Sequence, residues 1–262
     1  MTPGTRTHDH ELIEAVETLY QNPENRDDAE GGVGAYSATV SLDDANVVGM
    51  DGFDVVLLGY WELPEGVEEE TARRTNEAEA QAVLYEMAAQ FSRAGASTSV
   101  RLDFGRGGAE AAGLQRRIAA ETEADAVLVG GNISMWNNVL VPLRDDRHRA
   151  DLVQFLSGLD SDSIFVLELY HVVADPADAD AGEAMLDGVR DRLVEQGFAA
   201  DDVETTVAVR DDVGAAIAER AERHNLVVLG ETGEVDDESR FLGPVYHDLA
   251  DRASVPVVVL LD

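Results

Sequence analysis

From residue 139 onward, short apolar runs alternate with longer segments whose apolar residues recur every three or four positions. The runs at 139–143, 163–169, 203–209, 225–230 and 256–261 predict buried strands, being strand-length and rich in Val and Leu. The intervening segments predict helices at 148–158, 181–196, 212–223 and 244–252. In the second of these helices Met185, Leu186, Val189 and Leu193 form one stripe; in the third, Val213, Ile217 and Ala221 do. Strict strand–helix alternation argues for right-handed crossovers and a parallel sheet covered on both faces, a doubly wound α/β sandwich. Ligands of such sheets sit outside the carboxyl ends of the strands, where strand order reverses.

The first half carries a looser version of the same pattern. GASTSVRLDFGRGGAEAAGLQRRIAAETEADAVLVGG from Gly95 parallels GFAADDVETTVAVRDDVGAAIAERAERHNLVVLGET from Gly197. Each reads as a helix-ending glycine, a strand, a loop, an amphipathic helix and a buried strand. Leu114 and Ile118 mark the first copy's helix, and Ala126 to Val129 its strand. Upstream, VVLLGYWELPE resembles FVLELYHVVADP, and Leu84, Met87 and Phe91 mark the buried face of the helix that follows. AYSATVSLDD alternates like a strand through Tyr36, Ala38, Val40 and Leu42. HELIEAVETLY predicts an amphipathic helix with Leu12, Val16, Leu19 and Tyr20 on one face, and QNPENRDDAEGGVG a linker. The expected organisation is an N-terminal helix and linker (1–34), a degenerate first module (35–137) and a complete second module (138–262).

Charge narrows the classes of function. The net charge is −34, spread along the chain, and all 19 basic residues are arginine. That balance suits a halophilic protein in a high-salt cytoplasm, where salt screens repulsion between hydrated carboxylates. It argues against nucleic acid as a partner, which needs basic patches. Without lysine there is no phosphate-loop lysine and no Schiff base; without cysteine there is no thiolate metal site and no thiol nucleophile. No apolar run approaches the ~20 residues that span a membrane, and MTPGTRTHDH has no apolar leader region. A cytoplasmic protein with no membrane insertion is expected.

The second half resembles the universal stress protein family. The residues that carry this are VLVPL, YHVV at Tyr170–Val173, the terminal VPVVVLL, and Gly230, Gly233 and Gly243, spaced as glycine, two residues, glycine, nine residues, glycine. The resemblance covers 138–262 well and 35–137 loosely. It implies a nucleotide-binding-like sandwich of the adenine nucleotide alpha hydrolase type in two tandem modules. By position, the family's ATP site would fall on Pro142, Arg144, Asp145, Val172, Gly230, Gly233, Gly243 and Val245. This chain departs from it in three places. Arg144 stands where the family has an adenine-side Asp, with Asp145 one residue late; Pro244 replaces the phosphate-binding Ser or Thr; and Glu234, Asp236, Asp237 and Glu238 make the loop acidic. The first half has Asp43 at the adenine position and no glycine loop.

What the resemblance implies is a binding or regulatory protein of the stress response, with no firm cofactor and an unidentified protein partner. Two alternatives stand: an ATP-binding member, using magnesium and hydrolysing slowly, and a regulatory subunit on a membrane transporter. The last strand, 257–261, is expected at an edge that forms a homodimer, or paired with the other module within the chain. Other features read as structural: HDH at His8–His10 as a terminal tail, GGVG at Gly31 as linker, GRGG at Gly105–Gly108 as a strand-to-helix turn, and Trp61 and Trp136 as core or interface. His171 reads as a strand-end residue.

Overall fold

The computed structural model describes residues 10–16, 53–63, 65–106, 109–129, 137–145, 147, 149–230, 249 and 255–261. Strands β1 (His10–Val16), β2 (Phe53–Glu62), β3 (Ser97–Gly105) and β4 (Ala126–Val129) belong to the first half, with helices α1 (Glu69–Arg93) and α2 (Ala109–Thr122) between them. The second half contributes β5 (Asn138–Pro142), α3 (Arg149–Gly158), β6 (Val166–Val173), α4 (Ala179–Glu195), β7 (Val203–Val209), α5 (Val213–Ala221), β8 (Leu226–Gly230) and β9 (Val257–Leu260). One nine-stranded sheet runs β3-β2-β1-β4-β9-β8-β5-β6-β7. Every neighbouring pair is parallel except β4 and β9. The strands of the two halves therefore run in opposite senses, and their carboxyl ends point to opposite rims.

Each half has the same strand sequence, third-second-first-fourth: β3-β2-β1-β4 and β7-β6-β5-β8. Helices cover both faces. Leu84 and Phe91 of α1, Leu152 and Leu156 of α3 and Leu186, Val189 and Leu193 of α4 are buried on one. Leu114 and Ile118 of α2 and Ile217 and Ala221 of α5 are buried on the other. Gly95 and Gly197 close α1 and α4 at φ +103° and +113°, the left-handed conformation that a helix end takes most cheaply at glycine.

Several expectations are corrected. HELIEAV is not helical: His10–Val16 is a strand hydrogen-bonded on both sides, in register from His10 opposite Phe53 to Val16 opposite Gly59 and from Leu12 opposite Ala126 to Ala15 opposite Val129. A short helix gains little alone, whereas this slot gives the segment a ladder on each edge, so pairing overrides the helical period. The strand expected at 163–169 begins later, at Val166, because Ser161–Ser163 form a 3₁₀ turn whose preceding Asp160 side chain accepts from the Asp162 N–H. Val213 shares the helical spacing of Ile217 and Ala221 but, as the first residue of α5, is 47% exposed where those two are buried. The strand at Tyr36–Leu42, the helix at 244–252 apart from the buried, helical Leu249, Asp43 and Trp136 lie outside the described residues.

Strand β9 is not an edge. It pairs with β8 in parallel and with β4 antiparallel, Ala126 opposite Leu260 through Val129 opposite Val257. All four of its residues are buried. Of the two expectations for 257–261, pairing within the chain is the one observed.

Candidate functional site

The second half reverses its strand order at β5, which has β6 on one side and β8 on the other. Their carboxyl ends, with the first turns of α5, enclose a cleft of about 440 Å³. Pro142, Leu143 and Arg144 follow β5, Tyr170, His171 and Val172 come from β6, Leu229 and Gly230 end β8, and Val213 and Ile217 project from α5. A strand that ends at a switch point leaves its last residues without a helix above them, and that geometry makes the cavity.

The sequence-derived positions sort clearly. Pro142, Arg144, Val172 and Gly230 line the cleft. Asp145 is adjacent but committed elsewhere: its carboxylate accepts from Arg147 Nε at 3.0 and 3.1 Å and pairs with Arg147 Nη2 at 2.9 Å. The hydrogen-bonded Arg147 guanidinium holds the Asp145 carboxyl below the usual carboxylate range. Gly233, Gly243, Val245 and Pro244 lie outside the described residues.

The remaining polar groups of the lining are largely self-satisfied. His171 Nδ1–H donates to the Leu143 carbonyl at 2.7 Å and ties the ends of β5 and β6 together. Its ring packs so closely on α4 that a Cβ on Gly182 would lie 2.6 Å from His171 Cδ2. Tyr170 is buried, and burial pushes its phenol up, so it stays a neutral O–H. The first turn of α5 is capped by Asp212, whose carboxylate accepts from the Ala215 N–H at 2.9 Å. Arg144 is exposed, and its charge adds to the hydrogen bonds of Arg147 in holding the Asp145 carboxyl low.

Below the cleft, on the same face of β6, sits a cluster that the sequence reading missed. Glu168 is 1% exposed. It accepts two hydrogen bonds from Arg220, at 2.7 Å from Nε and 2.6 Å from Nη2, and lies 3.2 Å from His224 Nε2. His224 Nδ1 faces the Arg220 carbonyl at 3.0 Å, so both contacts are hydrogen bonds only when both ring nitrogens carry a proton. Burial pushes the Glu168 carboxyl up, but hydrogen bonds from His224, Arg220 and Thr206 outweigh it and bring it to about 2. The signal was present: a glutamate inside the otherwise apolar VLELY run of an interior strand needs a cation facing it.

Of the features read as structural, His10 of HDH is not part of a terminal tail but opens β1 opposite Phe53. Trp61 is buried and stacks on Phe104 at 6.1 Å between ring centroids. Arg106 of GRGG donates to the Val67 carbonyl at 3.3 Å. Among the described residues no group of three His, Asp or Glu side chains is placed to hold a metal, and no helix is long and apolar enough to cross a membrane.

Residues 135–260 match the Universal stress protein family. No curated protein matches the chain by sequence. Among solved structures, a universal stress protein from Archaeoglobus fulgidus DSM 4304 is similar at TM-score 0.52 and 15% identity, over 79% of this chain and 85% of that one. A universal stress protein in complex with cAMP is similar at TM-score 0.40 and 23% identity, over 48% of this chain and 96% of that one. The cytoplasmic domain of a prokaryotic cation chloride cotransporter is similar at TM-score 0.47 and 14% identity, over 97% of this chain and 95% of that one. At 15% identity the Archaeoglobus structure supports the fold, α/β with a mostly parallel sheet, and nothing finer.

Proposed function

We propose that this chain is a tandem universal stress protein acting as a binding and regulatory protein of the stress response, whose second-half cleft does not hold ATP tightly. The observation that carries this reading is the lining of the cleft. It stands where the fold places a ligand, yet Arg144 lines it at the position where the resemblance would put the adenine-side Asp, and Asp145 is bound to Arg147. A guanidinium offers no acceptor to an adenine amino group. Pro244, in the glycine loop, has neither hydroxyl nor N–H for a phosphate. The tandem reading is supported by the shared strand order of the two halves. With β9 covered by β4, the pairing that two separate chains would provide through this strand is supplied within one, in a protein suited to a high-salt cytoplasm.

The chemistry-bearing groups nearest the cleft support binding over catalysis. Glu168, Arg220 and His224 satisfy one another. The test is calorimetric titration with magnesium-ATP in molar KCl, on the natural protein and on Pro244→Ser with Arg144→Asp. The natural protein should bind weakly or not at all, and the double variant should bind better. Low-micromolar binding and slow hydrolysis by the natural protein would replace this reading with that of an ATP-binding member.

A further inference from the structure

The walls of the cleft fit a different anion from a polyphosphate. We propose that it takes a small monocarboxylate with an apolar or aromatic body, the carboxylate held by Arg144 and the body laid against Tyr170, Val172, Val213, Ile217 and Leu229. This names the ligand class for the cleft and rests on reading it as a binding site.

Three observations converge. First, Arg144 is the arginine of the described lining and is exposed; it lies within charge–charge range of the Asp145 carboxylate, whose hydrogen bonds come from Arg147. A planar guanidinium pairs with a carboxylate through two parallel hydrogen bonds, and one guanidinium balances one negative charge. Second, the surrounding wall is apolar and open. Val213 stands 47% exposed at the mouth of the cleft, in a chain of net charge −34. The volume of about 440 Å³ is within the range of small-molecule sites. Third, the start of α5 at the cleft already carries one carboxylate, that of Asp212, which accepts from the Ala215 N–H. Further negative charge there is repelled, whereas a single carboxylate at Arg144 sits on the β5 side of the cleft.

The experiment uses the full chain in molar KCl and follows 2-naphthoate by its fluorescence. The neutral 2-naphthamide and AMP serve as comparison ligands, and Arg144→Gln and Val213→Trp as variants. Val213→Trp fills the mouth from an exposed position and leaves the core untouched. We expect 2-naphthoate to bind, the amide and Arg144→Gln each to weaken binding about tenfold, which is ~1.4 kcal/mol, and Val213→Trp to abolish it. Equal binding of acid and amide, or full retention of naphthoate by Arg144→Gln, overturns the assignment of Arg144. If neither naphthoate nor ATP binds, the ligand class is wrong while the reading of a cleft without tight ATP binding stands. If AMP displaces naphthoate and ATP binds in the low micromolar range, both are overturned.

Discussion

Replacing Glu168 by glutamine tests how much the buried cluster contributes. The substitution keeps shape and volume but removes the charge that Arg220 and His224 face. The carboxyl lies at about 2 in the folded protein against 4.5 for an unperturbed glutamate. At ~1.4 kcal/mol for each pH unit, that difference corresponds to about 3 kcal/mol of stability at neutral pH. The sign follows from the depressed value. The contribution is complete above the unfolded-state value of 4.5 and is lost as pH falls from there through about 2. Urea unfolding of both proteins, from pH 7 downward, reads it directly. The natural protein should be more stable by about 3 kcal/mol at pH 7, and the gap should close through the acid range. Molar KCl should leave the gap nearly unchanged, since Glu168 is 1% exposed and its partners are not separated from it by water. A gap below ~1 kcal/mol at pH 7, as exposed ion pairs give, or one that salt erases, would mean that Glu168 contributes no more than a surface charge.

Further outcomes follow from other contacts. Gly182→Ala forces a Cβ to within 2.6 Å of His171; it should lower stability by about 1–3 kcal/mol as overpacking does, and shift the His171 ring resonances in NMR. Val258→Ala, in the fully buried β9, should cost about 1–3 kcal/mol without changing the mass seen by light scattering, whereas a strand at a dimer interface would lose the dimer. Asp212→Ala removes the cap of α5 and should cost ~1 kcal/mol. A chain beginning at residue 17 loses β1 and leaves β2 and β4 without their shared neighbour; it should lose cooperative unfolding and aggregate, while a dispensable surface helix would leave the urea transition in place.

The second half was legible because its signals are local. Leu186, Val189 and Leu193 repeat at the helical period and are buried, and Val203–Val209 is a strand within the bounds its pattern predicted. Gly95 and Gly197 ended helices, as their positions suggested. What sequence could not supply was partnership across the sheet. HELIEAV has a helical period, yet two flanking strands make it β1. The covering of β9 depends on β4, well over a hundred residues away in the chain. The cleft was half legible. Arg144 and Val172 were found through the family resemblance, position by position, whereas the exposure of Val213 was not legible because helical spacing does not tell where the sheet beneath a helix stops. Asp145 could be counted as available only until Arg147 was seen to hold it. Glu168 passed as one more solvated carboxylate among 53 Asp and Glu, although its apolar neighbours in VLELY marked it.

The most direct measurement is the nucleotide content of the protein itself. The chain is purified throughout in molar KCl with magnesium, then denatured, and the released small molecules are quantified by chromatography and mass spectrometry. Adenine nucleotide should be far below one per chain if, as proposed, Arg144 and Pro244 stand where the contacts that retain it would be. Release of close to one ATP, ADP or AMP per chain would contradict it.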